Sequence, residues 1–112
     1  MYKCDVGDLA DVRKLKEKIS GNLPEGGHVE YVINNAAIVH GKLFMETDEA
    51  RYSKVMQVNA LGVMHVTKAF YAEMLEKGGH VTNIASIAGL GPAPRMVSFW
   101  TFKKMICRNL QK

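Results

Sequence analysis

Three short stretches of the chain carry β-branched and aromatic residues between turn formers: YKCDV at 2 to 6, Val29 to Asn34, and His80 to Ala85. Runs of that length and composition predict strands. The intervals between them repeat at helical spacing instead. Leu9, Val12, Leu15 and Ile19 form one apolar stripe, with Asp8 placed as N-cap, Asp11 in the first turn and Gly21 at the end. A second helix starts at the acidic signal Thr47-Asp48-Glu49. It runs through Val55, Val58, Gly62, Val66, Ala69 and either Phe70 or Tyr71 to Met74, and stops at Lys77-Gly78-Gly79, where a glycine is expected to take the left-handed C-terminal position. Counted from 48 to 77 it has about 30 residues, long for a globular helix, and a bend near its middle is expected. Val97 to Leu110 is a third helix candidate whose start is crowded by aromatics. Turn clusters fall at 22 to 27 and around Pro92 and Pro94, and a loop spans 37 to 46.

The order is therefore βαβαβα, with strands too hydrophobic for a sheet wetted on one side. That pattern predicts parallel pairing in an α/β sandwich: the central segment of an incomplete, doubly wound Rossmann-like sheet. In open α/β sheets ligands gather beyond the carboxyl ends of the strands. Those ends carry Asp5, the pair Asn34-Asn35, and Ser86.

Composition narrows the class. The 112 residues are 47% hydrophobic and 23% charged, ordinary for one small globular domain, and no apolar run approaches the roughly 20 residues that cross a bilayer. Without a leader-like apolar stretch after Met1, an intracellular, cytoplasmic protein is expected. Cys4 and Cys107 have neither C-x-x-C nor metal-ligand spacing, which points to buried, inert thiols in a reducing compartment and to no metal site. The net charge of +4 is local: residues 1 to 94 hold ten Lys/Arg against eleven Asp/Glu, a balance of −1, while residues 95 to 112 hold five basic residues and no acid. A nucleic-acid face would spread its cations along a recognition element with aromatic platforms between them, so none is expected. The basic end reads as solvated charge on a terminal helix, with contact to anionic membrane as the weaker alternative.

Four features stand in register: an acid after the first strand, N-N-A-A after the second, Asn59 within Q-V-N-A-L-G of the long helix, and N-I-A-S-I-A-G after the third strand. Together they resemble the central segment of the short-chain dehydrogenase/reductase family. NNAAIVHGK followed by FMETDEA is more particularly similar to its retinol dehydrogenase and retinal reductase branch. The resemblance covers residues 2 to 94, and the joint spacing carries it. Taken singly, Asp5 is a helix-start acid, the Asn pair a loop cap, Asn59 a residue that costs helix propensity, and Ser86 a turn serine.

The resemblance implies hydride transfer between NAD or NADP and a small lipophilic alcohol or carbonyl of retinoid or steroid type. It implies that Asp5, with Val6, receives the adenine amino group. Asn34 ties neighbouring strands, and Ala36 lets the ribose and nicotinamide lie close to the main chain; Ala37 stands where glycine is usual. Asn59 bends the long helix and frees a carbonyl to hold a water, and Ser86 hydrogen bonds the substrate oxygen. Lys103 matches the lysine that serves both catalysis and cofactor binding. Helices 48–77 and 97–110 match those that form the family's homodimer, and endoplasmic reticulum association is a further implication. NAD and NADP stay undistinguished, because the selecting residues precede the matched segment.

The pattern breaks in two places. Family chemistry uses a tyrosine thirteen residues after the serine and a lysine four beyond it, and here those positions hold Phe99 and Lys103. Phenylalanine has no proton to exchange, which should cost about 10² to 10⁴ in rate. The register of residues 95–112 stays open, since four other basic residues surround Lys103, and the shift in composition after Pro94 suggests a foreign tail on the partial dinucleotide-binding domain at 1–94. Second, none of the ten glycines forms the T-G-x-x-x-G-x-G turn that cradles a pyrophosphate, so a chain truncated at both ends is expected. Two functions remain: an impaired oxidoreductase, or a non-catalytic isoform acting through helix-mediated association.

Overall fold

A computed structural model describes residues 1 to 91 and residue 95. Helix α1 (Leu9–Ser20) starts where Asp8 accepts a hydrogen bond from the Ala10 N–H at 2.8 Å, and Val12 is fully buried on its inner face. Strands β1 (Tyr31–Asn34) and β2 (His80–Asn83) pair in parallel, with Tyr31 opposite His80 and Asn34 opposite Asn83.

The crossover between them is the long helix, in three parts. Asp48 caps it by accepting from the Arg51 N–H at 2.8 Å, and α2 (Glu49–Met56) follows. A π-helical segment (Gln57–Leu61) then widens the coil, its Gly62 N–H reaching back five residues to the Gln57 carbonyl, before α3 (Gly62–Lys77) resumes. Where a bend is expected in mid-helix the structure has this inserted turn, the usual form of π-helix in proteins. α3 lies across one face of the strand pair. Val32, Phe70 and Met74 make the core there, with Ile19, Val29, Val66 and Ala69 packed against it, so Phe70 rather than Tyr71 is the inward residue.

The structure corrects several expectations. Residues 2 to 6 form no strand, because a strand exists only by pairing and no ladder runs beside them among the described residues. The other two strands are shorter than read, four residues each rather than six. At the far end of β1 the Asn35 N–H turns back onto the Ile33 carbonyl at 3.1 Å, which ends the ladder. The order is thus αβαβ rather than βαβαβα among the described residues, while its parallel pair and helical crossover remain Rossmann-like. Gly78 has φ +89° but ψ 152°, so it is an extended glycine-only turn and not a left-handed helical cap. Cys4 is half-buried rather than buried. No helix among the described residues is long and apolar enough to cross a membrane. The expected helix at 97–110, with Phe99, Lys103 and Cys107, lies outside the described residues.

Candidate functional site

The two asparagines at the end of β1 have different fates. Asn34 is buried, and its amide nitrogen donates to Thr67 Oγ1 at 3.0 Å and to Asn83 Oδ1 at 2.8 Å. Two donors on one nitrogen thus tie β1 to β2 and to α3. Asn35 points outward.

Asn59, in the π segment, is the most completely buried polar residue described. Its Oδ1 accepts from the Ile38 N–H and its Nδ2 donates to the Ile38 carbonyl, both at 2.8 Å. The carboxamide therefore plays the part of a strand neighbour to residue 38. It pins the loop after β1 against the helix, and both polar atoms of the buried carboxamide have a partner. Ala36 and Ala37, between the two clamps, remain exposed with nothing beyond a methyl group over their main chain.

Those alanines form one side of an open groove of about 600 Å³; Asp5, Val6, Ile38 and Lys54 also line it. The volume lies within the range of small-molecule sites. Asp5 Oδ1 accepts from the Gly7 N–H at 2.9 Å and its Oδ2 from Lys54 Nζ at 2.7 Å. The Lys54 hydrogen bond first, and the Gly7 N–H second, hold this carboxyl below the ordinary carboxylate range. Val6 is fixed from behind: its carbonyl accepts from His65 Nδ1 at 3.2 Å, and its side chain sits against Gly62, where an added Cβ would stand 2.8 Å from Val6 Cγ2. Cys4, also in the groove, has its thiol pushed up by burial and then by Asp11, Asp5 and Asp8, which makes it a poor nucleophile.

Of the residues expected at the site, Asp5, Val6 and Ala36 therefore share one groove, with Asn34 and Asn59 buried behind it. Ser86 stands apart from the lining residues. It follows β2 and caps the short 3-10 turn Ile87–Gly89, its Oγ accepting from the Ala88 N–H at 3.2 Å. Lys103 lies outside the described residues. Three participants were not foreseen from the sequence: Lys54, Thr67 and Ile38. Thr67 left a trace, as a β-branched hydroxyl in a helix interior that its propensity does not favour. Ile38 contributes only backbone, which leaves none.

Comparison with known proteins gives a consistent placement. The family model described as short chain dehydrogenase matches residues 1–108. The chain is 34% identical over 103 residues to short-chain dehydrogenase/reductase 3 of Homo sapiens, covering 91% of this chain and 33% of that protein. It is 36% identical over 90 residues to retinol dehydrogenase 10 of Rattus norvegicus, covering 80% of this chain and 26% of that one. A short chain dehydrogenase/reductase from Burkholderia phymatum, solved in complex with NAD, superposes with a TM-score of 0.86 at 28% identity, over 96% of this chain and 38% of that chain. The chain spans about a third of the length of the curated relatives it first matches.

Proposed function

The chain belongs to the short-chain dehydrogenase/reductase family, and on that premise we propose that it carries the nucleoside-binding side of a nicotinamide dinucleotide site. The parent activity is hydride transfer between NAD or NADP and a lipophilic alcohol or carbonyl. The observation that supports this is the groove in which Asp5, Val6 and Ala36 converge over the Asn34 and Asn59 clamps.

The residues fit that half of the cofactor. Each carboxylate oxygen of Asp5 holds one donor and can accept another, and the ionised carboxylate suits the amino group of adenine. Ala36 and Ala37 leave the main chain bare for a flat ring to approach. The diphosphate half has no matching Gly-rich turn in this sequence. When bound, the cofactor supplies the hydride donor or acceptor. The chain's own contribution is positional: Asn59 fixes the loop through Ile38, and Ser86 is assigned to the substrate oxygen. Phe99 at the proton-donor position leaves Lys103 without a phenol to act on, so turnover is impaired. A retinoid-like substrate is supported by the NNAAIVHGK stretch and by the likeness to retinol dehydrogenase 10.

Thermal unfolding with and without NADPH tests this. A cofactor at a hundredfold over its dissociation constant should stabilise the chain by about 2.7 kcal/mol, and an unmoved transition excludes binding by the chain as it stands. In a chain extended by the family's Gly-rich turn, Phe99→Tyr should raise turnover by about 10² to 10⁴.

A second reading is a non-catalytic chain that associates through its helices. It is favoured by the outer stripe of α3, where Met64, Tyr71 and Leu75 are exposed at helical spacing, with Leu61 exposed just before it. Of the methionines on the long helix, Met64 is exposed, Met56 half-buried and Met74 committed to the core. Concentration-dependent sedimentation without any NADPH effect would favour this second reading.

A further inference from the structure

α1 and α3 pack side by side, and a second cavity of about 300 Å³ opens between them. It shares no lining residue with the groove at Asp5. Leu9, Met64 and Ala69 give it apolar lining, the first two themselves exposed, and Arg13, Lys16 and Lys68 line it beside them. Among the described residues no Asp or Glu lines it. Among the described residues these three cations take part in no ion pair, whereas Lys14, Arg51 and Lys54 each have an aspartate partner. Residues 1 to 94 as a whole carry one more acid than base, so the gathering of unpaired cations here is local and not a reflection of overall charge.

His65 also lines the cleft, and since the Val6 carbonyl can only accept, its Nδ1 carries the hydrogen of their 3.2 Å contact. Three like charges around one small cleft focus a positive potential that only an anion relieves. Apolar side chains beside those cations favour an anion with a hydrocarbon portion. The volume, at the lower end for ligand sites, suits a small molecule.

We propose that the α1–α3 cleft binds a small amphipathic organic anion of the fatty carboxylate class, its head group among Arg13, Lys16 and Lys68 and its tail on Leu9, Met64 and Ala69. The site is independent of the dinucleotide groove.

The test is calorimetric titration of the 112-residue chain, at a concentration where sedimentation shows monomer, because Met64 belongs also to the exposed stripe of α3. The probes are monomeric decanoate, decanol and acetate. Decanoate should saturate one site per chain, with decanol and acetate each weaker by about tenfold or more. The double variant Arg13→Gln/Lys68→Gln, both positions exposed and circular dichroism unchanged, should lose about tenfold in decanoate affinity. Lys68→Glu should lose more, and Lys42→Gln, on an exposed loop, should lose nothing. NADPH should not compete. Equal affinity for decanol and decanoate, no saturation, or full affinity in both Arg13/Lys68 variants would overturn the proposal. Binding to vesicles containing phosphatidylserine without any binding of monomeric decanoate would also overturn it, in favour of a membrane surface.

Discussion

Val32 and Asn34 on one face of β1, and Tyr31 and Ile33 on the other, come from the same four residues and meet opposite surroundings. The inner pair is buried under α3, and even its polar member has every donor engaged, on Thr67 and Asn83. The outer pair is 64% and 63% exposed, although its side chains are the larger apolar ones. Hydrophobicity alone therefore does not decide what is covered. The crossover connection does, since a helix joining two parallel strands covers the face on which it crosses and leaves the other to whatever else packs there. Stability should accordingly sit in the helix-side clamps, polar ones included, and hardly at all in the outer apolar residues.

Substitutions can break that contrast. Asn59→Ala should have the largest effect, about 3 kcal/mol in urea unfolding, because it removes a fully buried carboxamide and leaves both the N–H and the carbonyl of Ile38 without their partly buried partner. Asn34→Leu keeps most of the volume but strips Thr67 and Asn83 of a shared donor, and should cost about 2 kcal/mol. Ile33→Thr, on the open face, should change the same midpoint by no more than about 0.5 kcal/mol. A loss there as large as that of Asn34→Leu would mean the outer face is covered in solution.

The smallest effect belongs to Asp5, exposed at the groove mouth. Its folded pKa is depressed, chiefly by Lys54, so its contribution is present above the ordinary carboxylate value and is lost as pH falls through the folded one. Melts recorded from pH 6 downwards should show a slope below about pH 4 that Asp5→Asn reduces. An unchanged slope would mean that Lys54 does not hold Asp5 in solution.

Much of the helical framework was legible because its signals are local. Asp8 and Asp48 cap the helices they were expected to cap, and the helix containing Asn59 opens at that residue. Strand limits were not legible, since a ladder lasts only as long as its partner: residues 2 to 6 have strand composition and, among the described residues, no strand beside them. The site was half visible. Asp5, Asn34, Ala36 and Asn59 stand out as residue types in a spacing, but the hydrogen bonds that use them run to Lys54, Thr67 and Ile38, between 21 and 49 positions away. Ser86 showed its residue type but not its 3-10 cap, which depends on a turn formed after the strand.

The π insertion also acts as a phase shifter for everything downstream. Val55 and Met74 are both buried, yet nineteen steps of a regular helix, at about 100° each, would leave them roughly 100° apart around the axis. One surplus residue in the coil takes up about that angle, so that both positions can be buried along one helix. Deleting a single residue between 57 and 61 would rotate Phe70 and Met74 out of the core while leaving their sequence untouched.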